Sequence, residues 1–80
     1  MTRGEFERTA VVTYVSPGLW VVFHDGIKYG WVRKDGTRKW RPIFKASTGA
    51  AMMLPVKLTR IDSVGALFVA HETEKEEVFQ

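Results

Sequence analysis

The chain has no cysteine and only two histidines among its 80 residues. Without thiols there is no disulfide framework and no thiolate metal site, so the fold must hold by packing alone. His24 and His71 each stand beside one carboxylate, Asp25 and Glu72. Neighbours in a strand point to opposite sides and cannot readily share one ligand. No Gly-x-x-x-x-Gly-Lys motif cradles a phosphate, and the glutamates near the C-terminus lack a scaffold that would hold them within catalytic tolerance. These absences leave catalysis unsupported, and no catalytic residue, metal or cofactor is expected. No stretch approaches the ~20 apolar residues that span a bilayer, and Met1-Thr2-Arg3-Gly4-Glu5 leads into no apolar signal segment. A soluble, unprocessed, cytoplasmic chain without a membrane partner is the expectation.

What is present belongs to an ordinary globular domain: 45% hydrophobic and 26% charged residues exclude a disordered chain. Eighty residues are too few for two cores, and a domain of this size buries only about 60% of its unfolded surface. A closed barrel suits that limit, because closure removes exposed sheet edges.

Strand signals fill the first half. Phe6 to Val15 is rich in β-branched and aromatic residues and reads as a first strand, broken by Ser16-Pro17-Gly18. Leu19 to His24 is the second and Ile27 to Arg33 the third, joined by Asp25-Gly26, the strongest short hairpin signal in the chain. After Lys34 the alternation disappears. Asp35-Gly36 marks a turn, Arg41-Pro42 an extended step, and Ile43 to Met53 supplies one or two helical turns. A fourth strand is expected from Leu54 to Asp62, with Pro55 at its start, and a fifth from Leu67 to His71. Residues 73–80 turn abruptly acidic and polar and read as a tail, or as a helical turn, behind a domain covering residues 1–72.

Charge is distributed unevenly. Lys28, Arg33, Lys34, Arg38, Lys39, Arg41 and Lys45 face only Asp35 in their segment, while the whole chain carries +3. Such a stripe attracts phosphate backbones by counterion release; the plain alternative is a solvated surface loop. Aromatic residues interleave it: Trp20, Trp31 and Trp40, with Tyr14, Phe23, Tyr29 and Phe44. Single-strand binders combine a positive groove with rings on which bases stack, yet one side of a small barrel is core and claims aromatics too. On the second strand Val21 and Phe23 share one face, and Trp20 shares the other with Val22 and His24. If the Val21–Phe23 face points inward, Trp20 points out and can stack. Strand phase leaves Trp31 open to either side, and Trp40 is either an anchor at the barrel end or a second platform.

Three segments together resemble a known family: Pro17-Gly18-Leu19-Trp20-Val21-Val22, Lys28-Tyr29-Gly30-Trp31-Val32, and Leu54-Pro55-Val56-Lys57-Leu58-Thr59-Arg60-Ile61-Asp62. Their order and spacing are similar to strands 2, 3 and 4 of an S1 domain, across about Arg8 to His71. The resemblance implies an all-β fold, a five-stranded antiparallel oligonucleotide-binding (OB-fold, S1-like) barrel with a short helical insertion between strands 3 and 4. It also implies single-stranded RNA, or single-stranded DNA, as the partner. Trp20 stands where the family places the aromatic of its second strand. Arg33 stands at the usual histidine, where a guanidinium offers a stacking plane and phosphate donors. Asp62 matches the aspartate closing the fourth strand, where it either fixes the following turn or accepts from a base. The expected site is therefore Trp20, Trp31, Arg33, Lys34, Arg38, Lys39, Arg41 and Asp62. The alternative is a protein-interaction barrel of S1-like shape that engages a ribosome, polymerase or nuclease, a protein partner in RNA metabolism, translation or transcription.

Overall fold

The computed structural model of the protein describes residues 1–78. Thr2 caps the first helix: its hydroxyl accepts the Glu5 amide at 3.2 Å and donates to the Glu5 carboxylate at 3.1 Å. The helix it starts, α1 (Arg3–Thr9), takes Phe6 out of the expected first strand. Phe6 fastens this short helix, because its fully buried ring lies 4.7–5.3 Å from the rings of His24, Tyr29 and Phe68. Burial of such a side chain contributes about 1.5–3 kcal/mol.

Five antiparallel strands follow in chain order, β1 (Val11–Ser16), β2 (Leu19–His24), β3 (Ile27–Gly36), β4 (Lys39–Lys45) and β5 (Ala51–Met53). The turns between them explain the meander. Gly18 takes φ 79° behind Pro17, and Asp25-Gly26 takes φ 49° and 77°, the positive pair that a two-residue hairpin turn demands. Between β3 and β4 only Thr37 and Arg38 intervene, with Arg38 at φ 54°.

The strand count and antiparallel order agree with expectation, and β2 spans the expected residues. Closure does not: the order β1-β2-β3-β4-β5 leaves β1 and β5 as free edges, so the sheet is open rather than a barrel. No helix lies between the third and fourth strands, which a tight hairpin joins, and Ile43 to Met53, expected to supply helical turns, forms the end of β4, a turn and β5 instead. The residues expected as the fourth and fifth strands, 54–62 and 67–71, form a loop and then α2 (Arg60–Val78). The physical reason lies in the sequence spacing. Thr59 Oγ1 accepts the Asp62 amide at 3.2 Å, as a helix cap does, and Val64, Leu67, Phe68 and His71 recur at helical intervals. Residues 73–78 of the expected tail continue this helix, and the Ser47 amide donates to the Glu74 carboxylate at 3.1 Å. The last two residues of that tail lie outside the described residues.

Helix α2 packs over β3 and β4 and against α1, so the core lies on one side of the sheet. Val22, Tyr29, Val32 and Phe44 meet Val64, Leu67 and Phe68 there, with Phe6 between the layers. The phase of β2 is thus the reverse of the inward Val21–Phe23 arrangement: Val22 is the fully buried residue, and Trp20 and His24 share its face. Pro42 sits in β4 without breaking the β3–β4 ladder. Its carbonyl accepts Leu54 N–H at 2.9 Å on the far side from β3, so the missing proline N–H is missing on that side too. Among the described residues no helix is long and apolar enough to cross a membrane.

Candidate nucleic-acid interface

With both helices on one side, the other face of the sheet is bare. Register sets its pattern. One row crosses all five strands as Thr13, Val21, Trp31, Ile43 and Met53, and a parallel row runs Leu19, Arg33, Arg41. A bulge in β3, where Tyr29 is the extra residue between the pairs Val22–Gly30 and Phe23–Lys28, brings Phe23 opposite Lys28. Lys28 Nζ then lies 5.2 Å from the Trp31 ring centroid and 5.8 Å from that of Phe23, a cation between two half-buried rings. Val21 is only 8% exposed although no helix covers it, so the larger side chains of its own face close over it.

Arg33 and Arg41 face each other directly across β3 and β4, an arrangement that like charges disfavour. Asp35 relieves it. Arg33 Nε and Nη2 donate to its two carboxylate oxygens at 2.6 and 3.2 Å, and Arg41 Nε donates at 3.2 Å. The hydrogen bond from Arg33 holds the Asp35 carboxyl below its ordinary value, with Arg41 adding to the effect, and the same carboxylate raises Arg33. Arg41 also donates through Nη1 to the Leu54 carbonyl at 2.9 Å. Both guanidiniums are therefore oriented on the bare face rather than loose in solvent.

Beyond Arg33 the β3–β4 hairpin outruns β2, whose pairing ends at Leu19, and the tip carries Arg38 and Lys39. Residues 28–45 hold seven cations against one carboxylate, a net +6, whereas the rest of the chain holds five cations against eight carboxylates, a net −3. The sheet concentrates the positive charge because it pairs the two strands that carry it.

Of the residues expected in a site, the structure brings Trp31, Arg33 and Arg41 together on the bare face and puts Arg38 and Lys39 on the adjoining tip. Lys34 and Trp20 lie on the helix side. There Lys34 Nζ is 5.4 Å from the Trp40 ring, the Arg60 guanidinium is 5.4 Å from the Trp20 ring, and the Trp20 and Trp40 rings are 5.5 Å apart. Trp40 is an anchor: it packs against the core, and its carbonyl accepts from Lys57 N–H at 2.8 Å and the buried Ser63 hydroxyl at 2.6 Å. Asp62 lies in the first turn of α2, 3.7 Å from the Arg3 guanidinium and apart from the bare face. Phe23 and Lys28 join the face although the expected site omitted them. Phe23 shares the phase of Val21 and joins the face once α2 covers the other side of β2, while Lys28 is brought there by the bulge, which strand alternation alone does not reveal.

On the helix side, His24 and His71 flank the buried Tyr29, with His24 Nε2 2.9 Å from the Thr9 hydroxyl and the His71 ring 4.4 Å from that of Tyr29. Burial pushes the Tyr29 phenol up, and the carboxylates of Glu72 and Asp25 push in the same direction. Among the described residues no three histidine or carboxylate side chains converge as a metal site. No protein-family model, curated protein or solved structure matches this chain, so its chemistry is read from this geometry alone.

Proposed function

We propose that the protein binds single-stranded nucleic acid, RNA in the first instance, across the bare sheet face, with bases stacking on Trp31 and Phe23 and phosphates following Lys28, Arg33, Arg41 and the hairpin tip. The observation that carries this reading is the coincidence of the two half-buried rings with Lys28, Arg33 and Arg41 of the cation-rich β3–β4 hairpin on the one sheet face that no helix covers. Duplexes hide their base faces, whereas extruded or unpaired bases can lie on such rings, and this favours single strands. β3, with ten residues, runs about 30 Å, long enough for several nucleotides of an extended single strand to lie along it.

Fluorescence anisotropy of labelled homopolymers and of a matched duplex tests the proposal. If about three to five phosphates are neutralised, log affinity for single strands falls with log salt at a slope of roughly −2 to −3.5. Trp31→Ala should lose about 1–3 kcal/mol of binding per stacked base while staying folded. Reversal of Lys28, Arg38 and Lys39 to glutamate should weaken all sequences alike, since phosphate contacts carry no sequence information. Affinity indifferent to salt and to Trp31 removes the interface from this face.

A further inference from the structure

Between α2 and the segment from β5 to Lys57 lies an apolar groove, reached at one end by Arg3 of α1, that the nucleic-acid reading does not use. It has two lobes, of about 300 and 260 Å³, that meet at Leu54 and Ala70. Ala66 and Val69 form the α2 wall of the first lobe, which is rimmed by Arg3 and Lys57; Met52 and Thr73 border the second, which is rimmed by Glu74 and Glu77. Thr73 donates its hydroxyl to the Val69 carbonyl at 2.8 Å, and Val69 and Met52 remain 48% and 51% exposed in the single chain.

The charges identify what fits. Arg3 is engaged by Glu7 at 3.3 Å and Asp62 at 3.7 Å, and the Glu74 carboxylate accepts from Ser47. Lys57 at one end and Glu77 at the other make no ion pair among the described residues. A ligand of one charge sign complements one lobe and repels the other. A second copy of this chain, turned about a two-fold axis through the Leu54–Ala70 junction, complements both, because each cationic lobe then meets the partner's anionic lobe. Small residues at 66 and 70 let two α2 helices approach closely in antiparallel order. We infer that the protein forms an isologous dimer through this groove, with Lys57 of each copy opposite Glu77 of the other, leaving both bare sheet faces on the outside.

Sedimentation velocity over a wide range of protein concentration, without nucleic acid, tests the inference. The parent should pass from monomer to dimer as concentration rises. Lys57→Glu or Glu77→Lys alone breaks two symmetry-related pairs and should weaken dimerisation about tenfold or more, and the combined swap should recover affinity to within about threefold of the parent. Ala70→Arg fills the junction and should give a monomer with the parent's circular dichroism. Val69→Glu, at an exposed position, should do the same without straining the core. A monomer at every concentration, single reversals without effect, or a swap that fails to restore association each overturns the inference. So does a dimer that survives Val69→Glu but is lost in Trp31→Glu, which would place the contact on the bare sheet face.

Discussion

Gly30 is the position where one added methyl group does the most damage for a reason visible in the backbone. Its φ is 147°, a conformation L side chains rarely adopt, and a Cβ built there would lie 2.0 Å from the carbonyl oxygen of Ile43. Neither atom belongs to a side chain that could swing aside, so Gly30→Ala must deform β3 against β4. The unfavourable backbone conformation costs on the order of 1–3 kcal/mol, and relief of the overlap about 1–3 more. Set against roughly 4–12 kcal/mol for a domain of this size, the sum of about 2–6 kcal/mol removes a large part of the stability. Gly26→Ala is the control. Its φ is 77° but nothing lies within 4 Å of the added Cβ, so only the backbone cost of about 1–2 kcal/mol applies. Urea denaturation followed by circular dichroism should place Gly30→Ala well below Gly26→Ala at an unchanged denaturant slope, and each kilocalorie should lower Tm by about 4–8 °C. If the two variants are equally stable, the close approach of β3 and β4 at this point is wrong.

Phe6→Ala should cost about 3–5 kcal/mol, because it empties the space between the sheet and α2 and releases α1; a loss below about 1 kcal/mol in the same urea titration would mean that α1 is not fastened by this ring. Asp35 supplies a pH test. Its folded pKa is depressed, so its contribution to stability is present above the unfolded value of about 3.9 and is lost as pH falls through the folded value. Asp35→Asn should therefore lower Tm slightly at neutral pH and converge with the parent at low pH, and parallel Tm curves at all pH would show that the Arg33–Asp35–Arg41 cluster contributes no such linkage.

Local signals in this chain are strong where the backbone itself is constrained. Asp25-Gly26 and Pro17-Gly18 set two turns by their φ preferences alone, and β2 and the start of β3 follow from them. The helices were also written locally, in Thr2-Arg3-Gly4-Glu5, in the Thr59 cap and in the spacing of Val64, Leu67, Phe68 and His71. A strand reading of residues 54–62 and 67–71 passes over that helical period. Pro42 and the short β4–β5 pairing obscured β4, since a proline inside a strand is tolerated only when its missing N–H faces away from the ladder, and that depends on the partner strands.

The amino-acid sequence by itself determined the turn positions, the concentration of cations between residues 28 and 45 and the absence of thiol chemistry, because each depends on residue identity or on neighbours a few positions apart. Only the tertiary structure decided which face of β2 is core. Both faces carry an aromatic and a valine, and the choice waits on where α2 lies down. The same choice turned Trp20 toward α2 and left Phe23 on the bare face, while the bulge in β3 at Tyr29 set Lys28 beside it and the β3–β4 register set Arg33 opposite Arg41. These are relations between strands, and no single strand's period contains them.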